Sequence, residues 1–444
     1  MIRAKYKSYP KYKQSRVVWI GELPEHWQFF KILWSYKQIG SGNTPTSSNE
    51  SYYDETGFPW VITGDLNDGI INDTSKHITK KAIIENPSLK LYQKNSLIIA
   101  MYGATIGKLG QLNIEAYTNQ ACCVFGTSNF LSNRFTFYWL LGLRQHIINL
   151  SAGGGQPNVS QKIIKQISIC IPPLPEQRTI ASFLDRETAR IDNIISKQTR
   201  MIELLKEKRS ALITQAVTKG LDPKAKMKKS GVEWIGEIPE GWEVIKLKFI
   251  STIEYGLSQP PEKRDEGTAL IRATNVKRGT ISDVDLIFID PRDITERKIT
   301  YLQEGDIIVV RSGAYTADSA IIPLEYSGAI AGYDMVVHVN KKNSTDFIAY
   351  SLLADYILYA QMVLKSSRAA QPHLNKEELG TVLIALPPNK EQQEIAKFIK
   401  SNTGNIDTLM KKIESQITLL NEYKQSLITH AVTGKIDVRG LANE

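Results

Sequence analysis

The chain repeats a set of short motifs at a constant spacing of 215 residues. Residues 19–27 read Trp-Ile-Gly-Glu-Leu-Pro-Glu-His-Trp, and residues 234–242 read Trp-Ile-Gly-Glu-Ile-Pro-Glu-Gly-Trp. Residues 172–177 and 387–392 share the pattern Pro-Pro-x-x-Glu-Gln. A period this long excludes a solenoid, whose repeats are far shorter. In a chain of 444 residues it predicts two duplicated domains in a pseudo-two-fold molecule.

The two copies match at their edges and diverge in their middles. Between about 28 and 150, and between about 243 and 365, only scattered echoes remain. Residues 97–103 align with 307–313 at a spacing of 210, so insertions or deletions separate the two middles. A shared scaffold with divergent inserts predicts one task performed twice on two different targets.

Each copy ends in a long heptad pattern. Such a seam predicts a coiled coil between the two segments. The alternative is two independent amphipathic helices, each packed on its own domain. Prolines 172–173 and 387–388 mark the helix starts, and about 42 residues would give a rod of roughly 60 Å. The seam residues are Ile180, Leu184, Thr188, Ile191, Ile195, Gln198, Ile202, Leu205, Arg209 and Leu212, then Ile395, Ile399, Thr403, Ile406, Met410, Ile413, Ile417, Leu420, Lys424 and Leu427.

The divergent middles read as mixed α and β structure. Apolar runs bounded by Gly, Asn and Asp predict short strands. More helical stretches follow near 134–150 and 345–365. The pattern predicts a compact α/β domain in each copy without settling its topology. The predicted strands are 96–101, 121–125, 306–310 and 335–339.

Charge and composition point to a polyanionic partner. The formal net charge is +9 and the sequence pI is about 9.1, a balance that favours nucleic acid. No apolar run is long enough for a membrane span or a secretion signal. The three cysteines, an adjacent pair and a single one, form no disulfide or zinc pattern, so we expect buried thiols in a reducing cytoplasm.

Motifs for catalysis are missing from the sequence. Residues 103–108 resemble a phosphate loop but have the wrong glycine spacing, and Leu109 replaces the required Ser or Thr. Ile171 and Leu386 precede the two Pro-Pro pairs, where an adenine methyltransferase needs Asn or Asp. The histidines show no metal-ligand spacing, and no paired-carboxylate nuclease signature is visible. We therefore expect a non-catalytic binding protein with no catalytic residues and no metal site.

Together these motifs resemble the specificity (S) subunits of type I restriction-modification systems. The resemblance rests on the Trp-Ile-Gly-Glu-Leu/Ile-Pro-Glu-x-Trp entry motif, the Pro-Pro-x-x-Glu-Gln-x-x-Ile-Ala-x-Phe helix opening and the Ala-Val-Thr helix exit, each present twice. Residues 41–45, Ser-Gly-Asn-Thr-Pro, and 59–65 also look like that family. Residues 255–259, Tyr-Gly-Leu-Ser-Gln, replace the former element in the second copy.

The resemblance implies a fold and a role. The fold is α+β: two tandem α/β target recognition domains separated by two long conserved helices that form an antiparallel coiled coil. The domains would be 1–171 and 223–386, followed by the helical segments 172–222 and 387–444. Each domain would read half of a split double-stranded DNA site, and helix length would set the unread spacer.

Partner subunits would supply the chemistry. Two methylation (M) subunits would carry S-adenosylmethionine and methylate adenine. Restriction (R) subunits would use ATP and Mg. This cytoplasmic chain would hold no cofactor and touch no membrane.

Candidate DNA-binding residues are polar side chains in loops or at strand ends. Arg278 and Arg311 are favoured because each lies beside a glycine-containing turn. The recurring segments 156–158 and 371–373 suggest a shared scaffold or phosphate role. The candidates are Thr44, Lys76, Lys80, Lys81, Tyr102, Lys108, Asn119 and Gln120 in the first domain, and Gln259, Arg272, Asn275, Lys277, Arg278, Arg311, Tyr315 and Tyr333 in the second.

Other interpretations stay open at this point. One is a coiled-coil adaptor whose two side domains bind proteins or RNA. Another is a stand-alone nuclease or methyltransferase of unfamiliar type. The sequence also leaves undecided whether the system restricts DNA or only modifies it.

Overall fold

A computed structural model describes residues 6–15, 20–151, 157–296, 298–366 and 372–441. They form two compact units. Unit 1 combines the chain up to Gln198 with the chain from Ser415 onward, and unit 2 comprises Thr199–Glu414. Each unit therefore contains a part of both long helices. The predicted domain boundaries, which divide the chain into four consecutive segments, do not describe this arrangement. Those linear boundaries stay a prediction.

Unit 1 is built on a five-stranded sheet with the order β4-β11-β8-β9-β6, a three-stranded sheet β10-β5-β7 and the ribbons β1-β2 and β3-β12. Its strands are β1 (Tyr12–Gln14), β2 (Glu22–Pro24), β3 (Gln28–Lys31), β4 (Ile39–Ser41), β5 (Tyr53–Val61), β6 (Gly69–Ile71), β7 (His77–Ile78), β8 (Leu97–Ala100), β9 (Leu109–Leu112), β10 (Tyr117–Thr118), β11 (Cys122–Phe125) and β12 (Ser168–Ile171). Its helices are α1 (Lys80–Glu85), α2 (Asn133–Gly142), α3 (Arg144–Asn149) and α4 (Gln161–Gln166), and the long helix α5 (Leu174–Lys219) begins here.

Unit 2 repeats this plan with a four-stranded sheet β16-β24-β21-β22, a three-stranded sheet β20-β17-β23 and three ribbons, β13-β14, β15-β25 and β18-β19. Its strands are β13 (Met227–Lys229), β14 (Glu237–Pro239), β15 (Glu243–Lys246), β16 (Ser251–Tyr255), β17 (Thr268–Ile271), β18 (Val276–Lys277), β19 (Thr280–Ile281), β20 (Ile287–Ile289), β21 (Ile307–Val309), β22 (Ser319–Ile321), β23 (Ile330–Ala331), β24 (Met335–Val339) and β25 (Leu383–Leu386). Its helices are α6 (Thr345–Leu353), α7 (Asp355–Ile357), a π-helix (Leu358–Val363), α8 (Leu364–Ser366) and α9 (Lys376–Gly380), and the second long helix is α10 (Asn389–Val432).

The central strands of both sheets are buried on both faces. In β8 and β11 of unit 1, Ile99 and Cys123 join the core that contains α2, while Ile98 and Val124 join a second core beside β5. Side chains alternate between the faces of a strand, so a continuous apolar run fills two cores at once. The four predicted strands and the two predicted helical stretches are confirmed, although each helical stretch is broken into shorter helices.

The long helices start where the proline pairs predict. Helix α5 begins at Leu174 and α10 at Asn389, each directly after its Pro-Pro pair. The repeated folds and the long helices confirm the predicted α+β class of two tandem α/β domains.

Within each unit the two long helices contact each other. In unit 1, Lys424 Nζ lies 2.7 Å from both carboxylate oxygens of Asp192, and Gln198 Nε2 donates to Gln416 Oε1 at 3.0 Å. As the residue number rises along α5 it falls along α10, so this pairing is antiparallel. In unit 2, Arg209 Nε donates to Asp407 Oδ1 at 3.0 Å, and it is the repeat equivalent of the Lys424–Asp192 pair. These contacts favour paired helices over two independent amphipathic ones.

The repeated motifs form a hydrogen-bonded anchor at the start of each long helix, buried in unit 1 and half-buried in unit 2. Trp27 Nε1 donates to Glu176 Oε1 at 3.0 Å, and Trp242 Nε1 donates to Glu391 Oε1 at 3.1 Å. In unit 1 the carboxylate also accepts from the Tyr9 hydroxyl at 2.7 Å and lies 2.8 Å from His26 Nε2. A buried carboxylate is tolerated only with such donors. The entry motif and the helix opening therefore recur together because they bond to each other.

A buried glutamine follows each of these carboxylates. Gln177 accepts from Ser132 N at 2.7 Å and donates to Pro172 O at 2.8 Å. Gln392 accepts from Ser344 N at 2.8 Å and donates to Pro387 O at 2.9 Å. In each unit the first bond thus joins the first turn of the long helix to the loop before α2 or α6, and the second bond closes onto the proline pair that precedes the long helix.

The thiols are buried, as predicted, and free. Burial raises the pKa of Cys123 and that of Cys170 to about 12, and also raises the pKa of Cys122. In the described part of the chain no single helix is long and apolar enough to cross a bilayer. One bent pair, Thr345–Leu353 with Asp355–Ser366, would pass on length and composition alone.

We predict that Glu176→Ala destabilises the protein more than Glu391→Ala. The first change strands the buried Trp27 and Tyr9 donors, whereas the second strands Trp242. Each stranded buried donor costs about 1–3 kcal/mol, so we expect roughly twice the loss for Glu176→Ala in urea unfolding followed by tryptophan fluorescence. Glu176→Gln, which keeps an acceptor, should lose less. Equal losses for the two alanine variants would contradict this account of the two anchors.

A histidine–aspartate pair makes the stability of unit 2 depend on pH. His338 Nδ1 lies 2.6 Å from Asp306 Oδ1, and this hydrogen bond raises the pKa of His338 above its usual value of 6.5. The folded protein therefore binds more protons than the unfolded chain. The stabilisation is fully present below about pH 6.5 and is lost as pH rises through the folded-state pKa.

We expect His338→Gln to lose stability at pH 5.5 but not at pH 8.5. The side chain is one-third exposed, so solvent screening limits the effect to about 1 kcal/mol. Thermal or urea unfolding of both proteins at the two pH values measures it. A variant whose stability follows the wild-type pH profile without change would refute this assignment.

Candidate DNA interface

Four candidate residues of the first domain lie at one end of the five-stranded sheet. Strand β4 ends there, β11 begins there and β8 ends there. Thr44 follows β4 and donates a hydrogen bond to Gln120, which precedes β11. Tyr102 follows β8 and is 43% exposed, while Asn119 accepts from Ala121 N at 3.1 Å and holds this turn. The sheet thus brings together Thr44, Tyr102, Asn119 and Gln120.

A glycine makes this convergence possible. A Cβ on Gly42 would lie 1.6 Å from Thr118 O, and one on Gly256 would lie 2.0 Å from Gly332 O. The loop after β4 therefore crosses close to its neighbouring strand, and the loop after β16 does the same in unit 2. The Ser-Gly-Asn-Thr-Pro element and its replacement in the second copy occupy equivalent places.

The lysine candidates of the first domain are exposed and more spread out. Lys108 lies in the β8–β9 connection and Lys76 just before β7. Lys80 and Lys81 start α1, where Lys81 Nζ donates to Ser51 Oγ at 3.1 Å.

The same end of the sheet in unit 2 carries a stacked arginine. The Arg311 guanidinium carbon lies 4.5 Å from the Tyr255 ring centre and 4.1 Å from that of Tyr333. Tyr255 ends β16, Arg311 follows β21 and Tyr333 precedes β24. Three loops therefore build this cation–π stack.

Unit 2 contains two further cation–aromatic pairs that involve candidate residues. Lys277 Nζ lies 4.4 Å from the centre of the Tyr315 ring. Arg278 donates to Asp318 Oδ1 at 3.1 Å and to the Tyr359 hydroxyl at 2.9 Å. Arg278 is thus held by a carboxylate and a phenol, an arrangement that the sequence did not reveal.

One candidate of the second domain is buried and two others have partners within the protein. Asn275 is fully buried, accepts from Arg272 N at 3.2 Å and donates to the Ser282 and Val284 carbonyls. Its side chain shapes a turn, and burial makes it the least suited of the candidates to contact DNA. Arg272 Nη2 donates to Asp285 O at 2.8 Å, and Gln259 N donates to Glu296 Oε1 at 3.2 Å. These two stay predictions.

Tyr255, Tyr359 and Lys376 contact these candidates but were not among them, whereas His373 belongs to the recurring segment 371–373 noted in the sequence. Arg311 Nη2 lies 3.4 Å from His373 Nε2, and Lys376 Nζ lies 5.5 Å from the Tyr255 ring centre. For Tyr255 the sequence did offer a signal, because this residue aligns with the Ser-Gly-Asn-Thr-Pro element of the first copy. Asn158 and His373, from the recurring segments, make equivalent bridges to Tyr102 and Ser312. Gln156 and Gln371 lie outside the described residues, as do residues 16–19 of the first entry motif.

A buried carboxyl group lies behind the stack. Asp334 Oδ1 accepts from Arg311 N at 3.2 Å, and burial raises the pKa of Asp334 to about 6. Among the described residues, no group of three His, Cys, Asp or Glu side chains could hold a metal ion.

Comparison with known proteins identifies the repeats. The family model "Type I restriction modification DNA specificity domain" matches residues 24–204 and again 239–419. The MjaVIII specificity subunit of a type I restriction enzyme from Methanocaldococcus jannaschii is 27% identical, over 94% of this chain and 95% of its own. The EcoKI specificity subunit from Escherichia coli K12 is 23% identical, over 94% and 90%.

Solved structures share the fold. A chain from a study of assembly and conformational transition in the type I R-M system matches with a TM-score of 0.70 and 16% identity, over 92% of this chain and 98% of its own. The HsdS subunit from Thermoanaerobacter tengcongensis matches with a TM-score of 0.50 and 17% identity, over 93% and 98%. Two family-model matches that together span most of the chain show that this protein belongs to the type I restriction-modification DNA specificity family.

Proposed function

We propose that the chain is the DNA-specificity subunit of a type I restriction-modification complex and that it binds a bipartite double-stranded site. Two specificity domains over nearly the whole chain carry this conclusion. Relatives that match at nearly full length are named as specificity subunits. Each domain reads one half of the site.

The polar surfaces of the two domains differ as two different half-sites require. At the same end of the sheet, unit 1 presents Thr44 and Gln120, whereas unit 2 presents Arg311 between Tyr255 and Tyr333. Base edges are distinguished by such differences in donors and acceptors. Exposed lysines, which are more widely spread, supply phosphate contacts and most of the salt-dependent affinity.

The long helices link the two recognition domains and thereby determine the spacing between the two half-sites. Each unit contains part of both helices, so the helices join the two recognition domains covalently and through their pairing. We propose that helix length sets the number of unread base pairs between the half-sites. Half-sites about one helical turn apart, roughly 34 Å, would lie on one face of the duplex.

Chemistry belongs to partner subunits in this proposal. Two methylation subunits dock on the repeated scaffold, bring S-adenosylmethionine and methylate adenine. Restriction subunits add ATP- and Mg-dependent cleavage where the system restricts. This chain supplies recognition and holds no cofactor, in keeping with relatives that are named specificity subunits. We place the complex in the cytoplasm, because its substrate is DNA.

We predict that exchanging residues 28–150 for those of a relative alters only one half of the recognised motif. The chain is co-expressed with its methylation subunits in a host without adenine methylation, and methylated adenines are located genome-wide. We expect a split motif with a fixed gap, modified on both strands. The matched control exchanges residues 243–365 and should alter only the other half.

Two outcomes would favour the other interpretations. A soluble assembled complex that methylates no adenine would support the adaptor, whose side domains bind protein or RNA. S-adenosylmethionine binding by the isolated chain, measured by calorimetry, would support a stand-alone methyltransferase.

A further inference from the structure

We propose that Arg311, stacked between Tyr255 and Tyr333, reads a guanine in the half-site of the second domain. This inference rests on the proposed function and names the base-edge chemistry of one of its two surfaces. Guanine offers two acceptors, O6 and N7, in the major groove, and a planar guanidinium can donate to both at once.

The stack leaves the guanidinium edge as the part that can recognise a ligand. The two tyrosine ring centres lie 4.5 and 4.1 Å from the guanidinium carbon. The Nε atom is buried and has no hydrogen-bond partner among the described residues. The terminal Nη groups are therefore the donors that a base can meet, and the rings restrict the directions in which they point.

The backbone of Arg311 is fixed independently of its side chain. Arg311 N donates to Asp334 Oδ1 at 3.2 Å, and Leu374 N donates to Arg311 O at 2.8 Å. Preorganisation of this kind reduces the conformational freedom lost on binding. Because both bonds use the main chain or Asp334, they survive a change of the Arg311 side chain.

The other cationic side chains of the second domain have different partners from those of Arg311. Arg278 is held by Asp318 and Tyr359, which leaves it less able to select a base. The nearest partner of the Arg311 guanidinium is His373 Nε2 at 3.4 Å, a long and weak contact. Lys277 and Lys376 lie over tyrosine rings and carry charge suited to the flanking phosphates.

The first domain has no arginine at the position equivalent to Arg311. Val159 N donates to Met101 O just as Leu374 N donates to Arg311 O, so Met101 is the structural equivalent of Arg311. Met101 is 3% exposed. We therefore expect the side chain at this position to read a guanine in the second half-site only.

The first test locates methylated adenines for the complete complex with Arg311→Gln, Arg311→Lys or Arg278→Gln. Arg311→Gln and Arg311→Lys should relax one guanine position of the second half-site and leave the first half-site and the gap unchanged. Lys keeps the charge but loses the planar fork, so it should not restore the preference. Arg278→Gln is the matched control and should lower methylation evenly, with no change of motif.

The second test measures binding of the complex to duplexes in which that guanine is replaced. 7-Deazaguanine, which lacks the N7 acceptor, should weaken wild-type binding by about tenfold, within the range for a bidentate base contact. Arg311→Gln should bind the normal and deaza duplexes equally. Inosine, which keeps O6 and N7, should bind the wild type like guanine.

The outcomes separate this inference from the proposed function. If the wild type methylates no split motif, the proposed function fails. If it methylates a split motif without guanine in the second half-site, or if Arg311→Gln leaves the motif intact or weakens all sites evenly, only the inference about Arg311 fails.

Discussion

A hydrogen bond between an indole and a carboxylate joins the entry motif to the first turn of each long helix, and the carboxylate is buried in unit 1 and half-buried in unit 2. Glu176 and Glu391 accept from the indole N–H groups of Trp27 and Trp242. A carboxylate taken out of water is costly unless donors surround it, so each helix can start only where its entry motif supplies an indole. The neighbouring Gln177 and Gln392 then tie the same turn to the domain. This requirement explains why motifs about 150 residues apart recur as a set.

The residues that we propose for recognition lie at the strand ends, outside the central strands that fill the two cores of each domain. The central strands fill two cores, and their side chains are therefore constrained on both faces. Residues just beyond the strand ends are less constrained, and Thr44 and Gln120 lie at the same end of the sheet in unit 1 as Tyr255 and Tyr333 do in unit 2. One scaffold can thus present a neutral polar surface in one copy and a stacked cation in the other. A specificity subunit needs this separation between a constant frame and variable reading loops.

Electrostatic pairing distinguishes the cations of the second domain. Arg278 and Arg311 look alike in sequence, since each lies beside a glycine turn. In the structure Arg278 is neutralised by Asp318, whereas Arg311 is stacked on aromatic rings. Asn275 satisfies buried carbonyls and is removed from the surface altogether. Polar residue type alone could not separate these roles, because each depends on partners brought in by other loops.

The sequence by itself determined the duplication, the two long helices with their starts, the central strands and the membership of a DNA-specificity family. These follow from local periodicity, proline positions and repeated motifs, which are properties of neighbouring residues. Only the tertiary structure decided that Tyr255, Arg311 and Tyr333 form one stack, that Asn275 is buried, and that the end of the chain completes unit 1. The physical reason is that such contacts join segments far apart in the chain, and their geometry is set by strand order and burial.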